Sequence, residues 1–525
     1  MSHRLASIAT LRAIELGAKA TLPDGALMER AGAAAARVIA QRLKDSGHAS
    51  GRIVILLGPG DNGGDGRIAA QALRQFGFDV DCLAGARFTA QLDACLGRPQ
   101  PIAIVDALFG IGLSRPLEGE WRLAVDWMNR VPEPILRIAL DIPSGLQADT
   151  GAIIGGVAVR ADLTITFLAD KPGLHTGRGR ELSGEVMVED LGFSNWPIDL
   201  TQPPVSEYEG TLCCPALVRS LARPLRRGAD SHKGDYGTTL IIGGTVGMAG
   251  AALLAARAAL FSGAGRIVVG FPAGAPLPVD LNYPELMLRD ARQALHQSGT
   301  SALAIGPGLG IDANARELLA LALERSGLDG QPLVLDADAL TLIASDSTLA
   351  AALDRRTQQH KDCPPILTPH PLEAARLLSA RSEDPEVPGM ADGASAGRIQ
   401  QDRIKAALQI ARTRQCIVVL KGAGTVVAST DGRWWIVPVG NPALATGGTG
   451  DVLTGWIVGL LAQSIRKGLR PIDLALLGVW CHGRGADAWV AAGHQAQGMT
   501  TAELLPQIRA ALHSCLTRTR PTSAE

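Results

Sequence analysis

The sequence predicts an α/β protein made of two successive units, each a largely parallel sheet between helical layers. Three observations carry that reading. Short apolar runs of strand length alternate with Ala- and Leu-rich stretches at helical spacing, which implies parallel strands joined by crossover helices. The apolar runs end in loops rich in glycine and small polar residues. A Pro- and turn-rich stretch, residues 195–224, breaks the rhythm and reads as a linker.

In the first half, LRAIELGAKA (11–20) and ALMERAGAAAARVIAQRL (26–43) read as helices. RIVILL (52–57) reads as a buried strand and GRIAAQALRQFG (66–77) as the helix after it. DVDCLAG (79–85), PIAIVDALFG (101–110) and ILRIALDIPSG (135–145) are three more strands running into loops. Beyond the linker, GTTLIIGG (237–244) is a strand into a glycine turn and AGAALLAARAALFSGAG (249–265) a long helix. RIVVGF, ALAIGPGLG, PLVLDADAL, PPILTPH and CIVVLKGAG follow as strand-then-loop units. VLTGWIVGLLAQSIRKG (452–468) reads as a helix, and residues 379–400 as a surface loop.

Bulk composition excludes several classes. A formal net charge of −1 supplies no basic field for nucleic acid, and 4% aromatic residues leave few stacking platforms for single strands. The 8 cysteines are scattered without a C-x-x-C, which fits reduced thiols better than a disulfide framework or zinc site. No run approaches membrane-spanning length, and the first twenty residues show no continuous apolar signal core. A cytoplasmic protein without a membrane partner is expected.

In open α/β sheets, ligands bind beyond the carboxyl ends of the strands. GPGDNGGDG (58–66), DALFGIGL (106–113) and DIPSG (141–145) all fall there. Gly58, Gly60 and Gly63 have the dinucleotide-fingerprint spacing, so a dehydrogenase is one reading. Asp61 and Asp65 beside a pyrophosphate argue against it, and Pro59 has no N–H to offer. A tight turn with solvated aspartates is the plain alternative. Asn62, Asp106 and Ser144, each placed just past a strand, offer oxygens suited to a hard cation. Asp141 follows a strand directly and is a candidate acid/base. For each carboxylate the structural alternative is a helix cap or turn.

NPALATGGTGDVLTG (441–455) is the most specific signal in the second half. Gly447, Gly448 and Gly450 free the backbone to wrap its N–H groups around an anion, and the helix expected near Asp451 points its positive end there. Asp451 is placed to accept a hydroxyl proton as phosphoryl transfer begins, or simply to cap the helix. No Walker-type loop occurs. His370 in LTPHPLE follows a strand and is a candidate contact, His482 reads as structural, and Asp336 and Asp338 either face the site or cap a turn.

ALMERAG (26–32), GPGDNGGDG, VDALFGIGL (105–113) and LDIPSGLQADTG (140–151), in that order, resemble the YjeF N-terminal family of NAD(P)HX epimerases. HKGDYGTTLIIGG (232–244), GMAGAALLAARAAL (247–260), IGPGLG (305–310), LDADAL (335–340), LTPHPLEAARLL (367–378), VVLKGAGTVV (418–427) and the G-G-T-G-D loop resemble the YjeF C-terminal family of ADP- or ATP-dependent NAD(P)HX dehydratases. The resemblance implies a Rossmann-like three-layer epimerase domain over 1–215 and a ribokinase-like α/β dehydratase domain over 225–515.

Substrate contacts implied in the first domain are Asp61, Asn62, Gly63, Gly64, Asp65, Gly110, Ile111, Gly112, Leu113, Ser114, Arg115, Pro116 and the catalytic Asp141. Asn62, Asp106 and Ser144 would hold K⁺. In the second domain Ala251, Gly308, His370 and the catalytic Asp451 would meet the hydrate. Lys421, Gly422, Ala423, Gly424, Thr425 and Gly450 would meet ADP or ATP, with Mg²⁺. Asp61 stands where the family usually has Asn, and Leu372 and Ala443 replace expected glycines. The resemblance implies small-molecule partners, NADHX and NADPHX, and a homo-oligomer. The alternative is a ribokinase-type small-molecule kinase fused to a non-catalytic binding domain.

Overall fold

A computed structural model describes residues 3–193, 206–379, 392–464 and 468–517. The chain divides into two compact units, His3–Leu212 and Cys213–Glu525.

The strands of the first unit are β1 (His3–Leu5), β2 (Arg52–Leu57), β3 (Asp79–Ala84), β4 (Ala103–Ala107), β5 (Leu136–Leu140), β6 (Leu163–Phe167), β7 (Glu185–Glu189) and β8 (Gly210–Leu212). Six of them form a parallel sheet in the order β3-β2-β4-β5-β6-β7, while β1 pairs antiparallel with β8. The pleat sorts β2 between two cores. Ile53 and Ile55 join Ile39 and Leu73 on one face, and Val54 and Leu56 join Phe88 and Met128 on the other. Helices on both faces explain why the strand is apolar throughout rather than alternating. The glycine of ALMERAG permits the tight helix packing: a Cβ on Gly32 would lie 2.6 Å from Ile68 Cβ and 2.7 Å from Asp65 O.

The second unit holds β9 (Thr238–Ile242), β10 (Arg266–Phe271), β11 (Met287–Asp290), β12 (Ala302–Ile305), β13 (Leu333–Leu335), β14 (Ile366–Leu367), β15 (Ile417–Leu420), β16 (Thr425–Ala428) and β17 (Trp434–Val437). Their order is β17-β16-β15-β14-β13-β12-β9-β10-β11. The pairs are parallel except β15–β16 and β16–β17, which are antiparallel. Against this sheet lie the helices Ala249–Ser262 and Thr449–Ala462, in near backbone contact. A Cβ on Gly455 would fall 1.9 Å from Ala255 O.

Two sequence readings need correcting. The segment 379–400 is not all loop: Asp392–Gln401 is helical, and 380–391 lies outside the described residues. Within the linker stretch, 194–205 lies outside the described residues, but the remainder carries β8 and the helix Pro215–Ala222. Among the described residues, no helix is long and apolar enough to cross a membrane.

Candidate active sites

The carboxyl edge of the first sheet opens into a cavity of about 650 Å³. Asp141, immediately past β5, reaches it from a left-handed backbone with φ 66°. Its Oδ1 lies 2.9 Å from Lys171 Nζ, and its Oδ2 accepts the Ile111 N–H at 3.2 Å. Lys171 is buried just past β6, and its ammonium also donates to Thr166 Oγ1 at 2.6 Å and Phe167 O at 3.1 Å. The ion pair therefore presents a carboxylate of fixed direction to the cavity.

Asp61, Asn62, Asp65, Gly110, Ile111, Gly112 and Leu113 share that cavity. Burial, with the nearby charges of Asp141, Asp61 and Glu15, pushes the Asp65 carboxyl up to about 8, so it carries a proton at neutral pH. Glu15 is raised as well, chiefly by burial and then by Asp141. Asp61 stays at the rim with its side chain 82% exposed, 3.9 Å from an exposed Lys19. The remaining implied contacts sit differently. Gly63 and Gly64 are buried inside the helix Asp61–Gln75, and Ser114, Arg115 and Pro116 are exposed outside the cavity lining.

The glycine spacing has a packing cause. A Cβ on Gly58 would fall 1.6 Å from Leu108 O, and one on Gly63 would fall 2.0 Å from Gly58 O. These glycines let the loops after β2 and β4 approach each other. Asp106 lies within β4 rather than past it, and Asn62 lies in the first helical turn, both departures from the sequence reading. Asp106 is fully buried. It accepts the Ser144 hydroxyl at 2.7 Å, the Ser144 N–H at 2.8 Å and the Leu108 N–H at 3.0 Å. Burial still raises its carboxyl to about 6 against those bonds. Both polar side-chain atoms of Asn62 are buried without a hydrogen-bond partner among the described residues. An unpaired buried amide is costly, so a ligand that satisfies it is the economical explanation. The oxygens of Asn62, Asp106 and Ser144 fit a hard monovalent cation.

In the second unit, the phosphate-loop helix begins at Thr449 with Gly448 left-handed at φ 88° as its cap. Asp451 sits in the first turn. Burial and then Asp336 push its carboxyl to about 6, with Lys421 opposing and Asp338 adding to the rise. Asp336 and Asp338 flank Ala337, whose φ of 48° is uncommon for a residue with a Cβ. Asp336 pairs with Lys421 at 2.9 Å, and Asp338 Oδ2 accepts the Gly310 N–H at 2.8 Å. Ala251 lies against Gly308: a Cβ there would be 3.2 Å from that of Ala251.

His370 caps a helix as well as lying near the site. Its Nδ1 accepts the Leu372 N–H at 3.1 Å, and its own N–H reaches Glu373 Oε2 at 2.8 Å. Burial and then Lys421 lower its pKa. Burial lifts Glu373 to about 7. His482 is buried, 3.0 Å from Thr449 O beneath the loop, and burial holds its pKa near 4, as a structural role requires. Sequence reasoning missed Glu15, Lys171 and Glu373. Lys171, in ADKPG after β6, was reachable by the strand-end rule.

A carboxylate held at a cavity in the first unit, and a glycine-rich helix start beside a lysine–aspartate pair in the second, mark a two-site enzyme acting on small molecules. A family model described as "NAD(P)H-hydrate dehydratase" matches residues 239–509, and one described as "YjeF-related protein N-terminus" matches 24–100 and 86–173. The chain is 35% identical to the bifunctional NAD(P)H-hydrate repair enzyme Nnr of Coxiella burnetii, over 94% of this chain and 96% of that one. It is 35% identical to the enzyme of the same name from Escherichia coli, over 92% and 88%. Among solved structures, the ADP/ATP-dependent NAD(P)H-hydrate dehydratase of Bacillus subtilis is 31% identical, with a TM-score of 0.45, covering 58% of this chain and 98% of that one. The chain belongs to the family of bifunctional NAD(P)H-hydrate repair enzymes. It joins an NAD(P)HX epimerase to an NAD(P)HX dehydratase.

Proposed function

We propose that the first unit interconverts R- and S-NAD(P)HX with Asp141 as acid/base, and that the second dehydrates the S form with Asp451 as base. The observation that carries the first assignment is the Lys171–Asp141 pair, which aims a carboxylate into the 650 Å³ cavity. In the hydrate, a hydroxyl sits on the carbon next to the ring nitrogen. The nitrogen lone pair helps the carbon–oxygen bond open, and water returns to either face as the carboxylate moves the proton. Asn62, Asp106 and Ser144 would hold K⁺, which supplies charge to order the loops around the substrate.

In the second unit, Asp451 takes the proton of the ring hydroxyl as a phosphoryl group arrives from ADP or ATP. Phosphate then leaves with the ring nitrogen pushing, the neighbouring carbon loses a proton, and NADH or NADPH results. With ADP the other products are AMP and inorganic phosphate. The surplus of carboxylate charge around Asp451 fits Mg²⁺, and Asp338 is the residue that would share it. Mg²⁺ neutralises phosphate charge. Lys421, Gly422, Ala423, Gly424, Thr425 and Gly450 would meet the nucleotide. Ala251, Gly308 and His370 would meet the hydrate. We read the working form as a cytoplasmic homo-oligomer without nucleic-acid or membrane partners; light scattering tests the oligomeric state.

The deciding experiment supplies mixed R- and S-NADHX with Mg²⁺, K⁺ and either ADP or ATP. Recovery of all the hydrate as NADH, after spontaneous epimerisation is subtracted, supports both roles. Recovery of the S fraction alone removes the epimerase role. A stable phosphorylated product, without inorganic phosphate, favours a small-molecule kinase.

A further inference from the structure

Lys421 emerges from the end of β15, and its backbone N–H donates to Pro369 O at 2.9 Å. Its side chain meets Asp336, which lies just past β13 and is buried. Both Asp336 oxygens are committed: Oδ1 to Lys421 Nζ at 2.9 Å, and Oδ2 to the Thr454 hydroxyl at 2.7 Å. A carboxylate buried and engaged at both oxygens is placed to hold other groups rather than to meet a substrate. Thr454 is fully buried one turn beyond Asp451 in the helix that starts at the phosphate loop, and its hydroxyl lies 3.5 Å from that of Thr368, just past β14. One buried carboxylate thus ties the ends of β13 and β15 to the phosphate-loop helix.

The free side of the ammonium faces that loop. A Cβ built on Gly450 would lie 3.4 Å from Lys421 Nζ, the one heavy atom among the described residues within 4 Å of it apart from its chain neighbours and its own helix backbone. Gly450 thus brings the loop backbone to within van der Waals reach of the ammonium. Burial works against the Lys421 charge, but Asp336 and Glu373 outweigh it and hold the charge in place. A cation kept charged, fixed at its root and set against anion-binding backbone is arranged to meet a phosphate rather than an adenine or a ribose.

Resting on the reading of 447–451 as the phosphoryl-transfer loop, we propose that the Lys421 ammonium binds the phosphoryl group in transfer, and that Asp336 and Thr454 are the positioning residues that aim it. The contact differs from one to the adenosine part of the nucleotide because it vanishes once the phosphoryl group has left.

The test compares ADP with AMP, which lacks the group in question, by calorimetry on the full chain without hydrate, and follows turnover of S-NADHX with ADP. Lys421→Met is expected to weaken ADP by roughly 10–100-fold while leaving AMP within about threefold. It should lower kcat by about 10²–10³-fold. Asp336→Asn should lower kcat with little change in KM for ADP, Thr454→Val should do so more mildly, and Thr454→Ser should restore wild-type turnover. Equal weakening of ADP and AMP by Lys421→Met would overturn the proposal, as would unchanged kcat in both Lys421→Met and Lys421→Arg. A wild-type protein inert toward S-NADHX with both ADP and ATP would overturn the parent reading instead, while the ADP–AMP comparison would still judge Lys421.

Discussion

Each unit places a lysine–aspartate pair with one buried partner at its site, at the same 2.9 Å separation, and the two pairs are turned opposite ways. In the first unit Lys171 is 1% exposed and Asp141 15%; in the second Asp336 is 1% exposed and Lys421 20%. The buried partner anchors and the other faces the ligand. One pair offers a carboxylate, as moving a proton on an uncharged ring requires. The other offers an ammonium, as gathering phosphate charge requires. The same interaction at the same kind of strand end thus serves two chemistries, according to which partner sits deeper.

The most direct way to break this comparison is to neutralise the acids. Asp141→Asn is expected to slow R/S equilibration by about 10²–10⁴-fold while S-NADHX is still dehydrated. Asp451→Asn should do the reverse. Chiral separation of the hydrates and nicotinamide absorbance read the two rates, and an Asp141→Asn protein that equilibrates them at the wild-type rate would remove Asp141 as acid/base.

Acidity sharpens the contrast further. Asp451 must be ionised to accept a proton, and its carboxyl is raised to about 6. Dehydration should therefore be half-maximal near pH 6, level off about one unit above it, and decline about tenfold per unit well below it. A profile flat from pH 5 to 7 would assign the base elsewhere.

A smaller effect concerns the cation. If Asn62 holds K⁺, potassium should raise the melting midpoint by about 2–4 °C over choline at equal ionic strength. Asn62→Leu should abolish that shift. An equal shift in the variant would mean the orphaned amide is unrelated to the ion. The smallest effect is expected at Asp61, exposed and loosely paired. Asp61→Asn should change KM for the hydrate by no more than about fivefold.

The strands and glycine loops were legible because apolar runs ending in glycine have few other uses in an α/β chain. Arg52–Leu57 sits where the sequence reading puts it, while the helix after it starts at Asp61, inside the stretch read as a loop. The reason for the glycines was not legible. A spacing shared with pyrophosphate-binding turns arises here from the approach of Leu108 O, a contact made between separate strands. Lys171 escaped notice because its partner lies thirty positions away, on the neighbouring strand. The sequence reading puts Asp106 past its strand, whereas it is the penultimate residue of β4, a shift inside the usual error of element boundaries. His370 was weighed as a contact and is also a cap, a double role that local sequence does not separate.

Asp141 stands at φ 66°, a conformation that side chains with a Cβ seldom accept. Aspartate, asparagine and glycine tolerate it best. Of these three only aspartate bears a proton-transfer group. The position thus has few neutral neighbours in sequence space, and the nearest one keeps the shape of the fold while removing its chemistry. A descendant of this enzyme can lose this chemistry in a single substitution, but that substitution also leaves the buried Lys171 ammonium without its counter-charge.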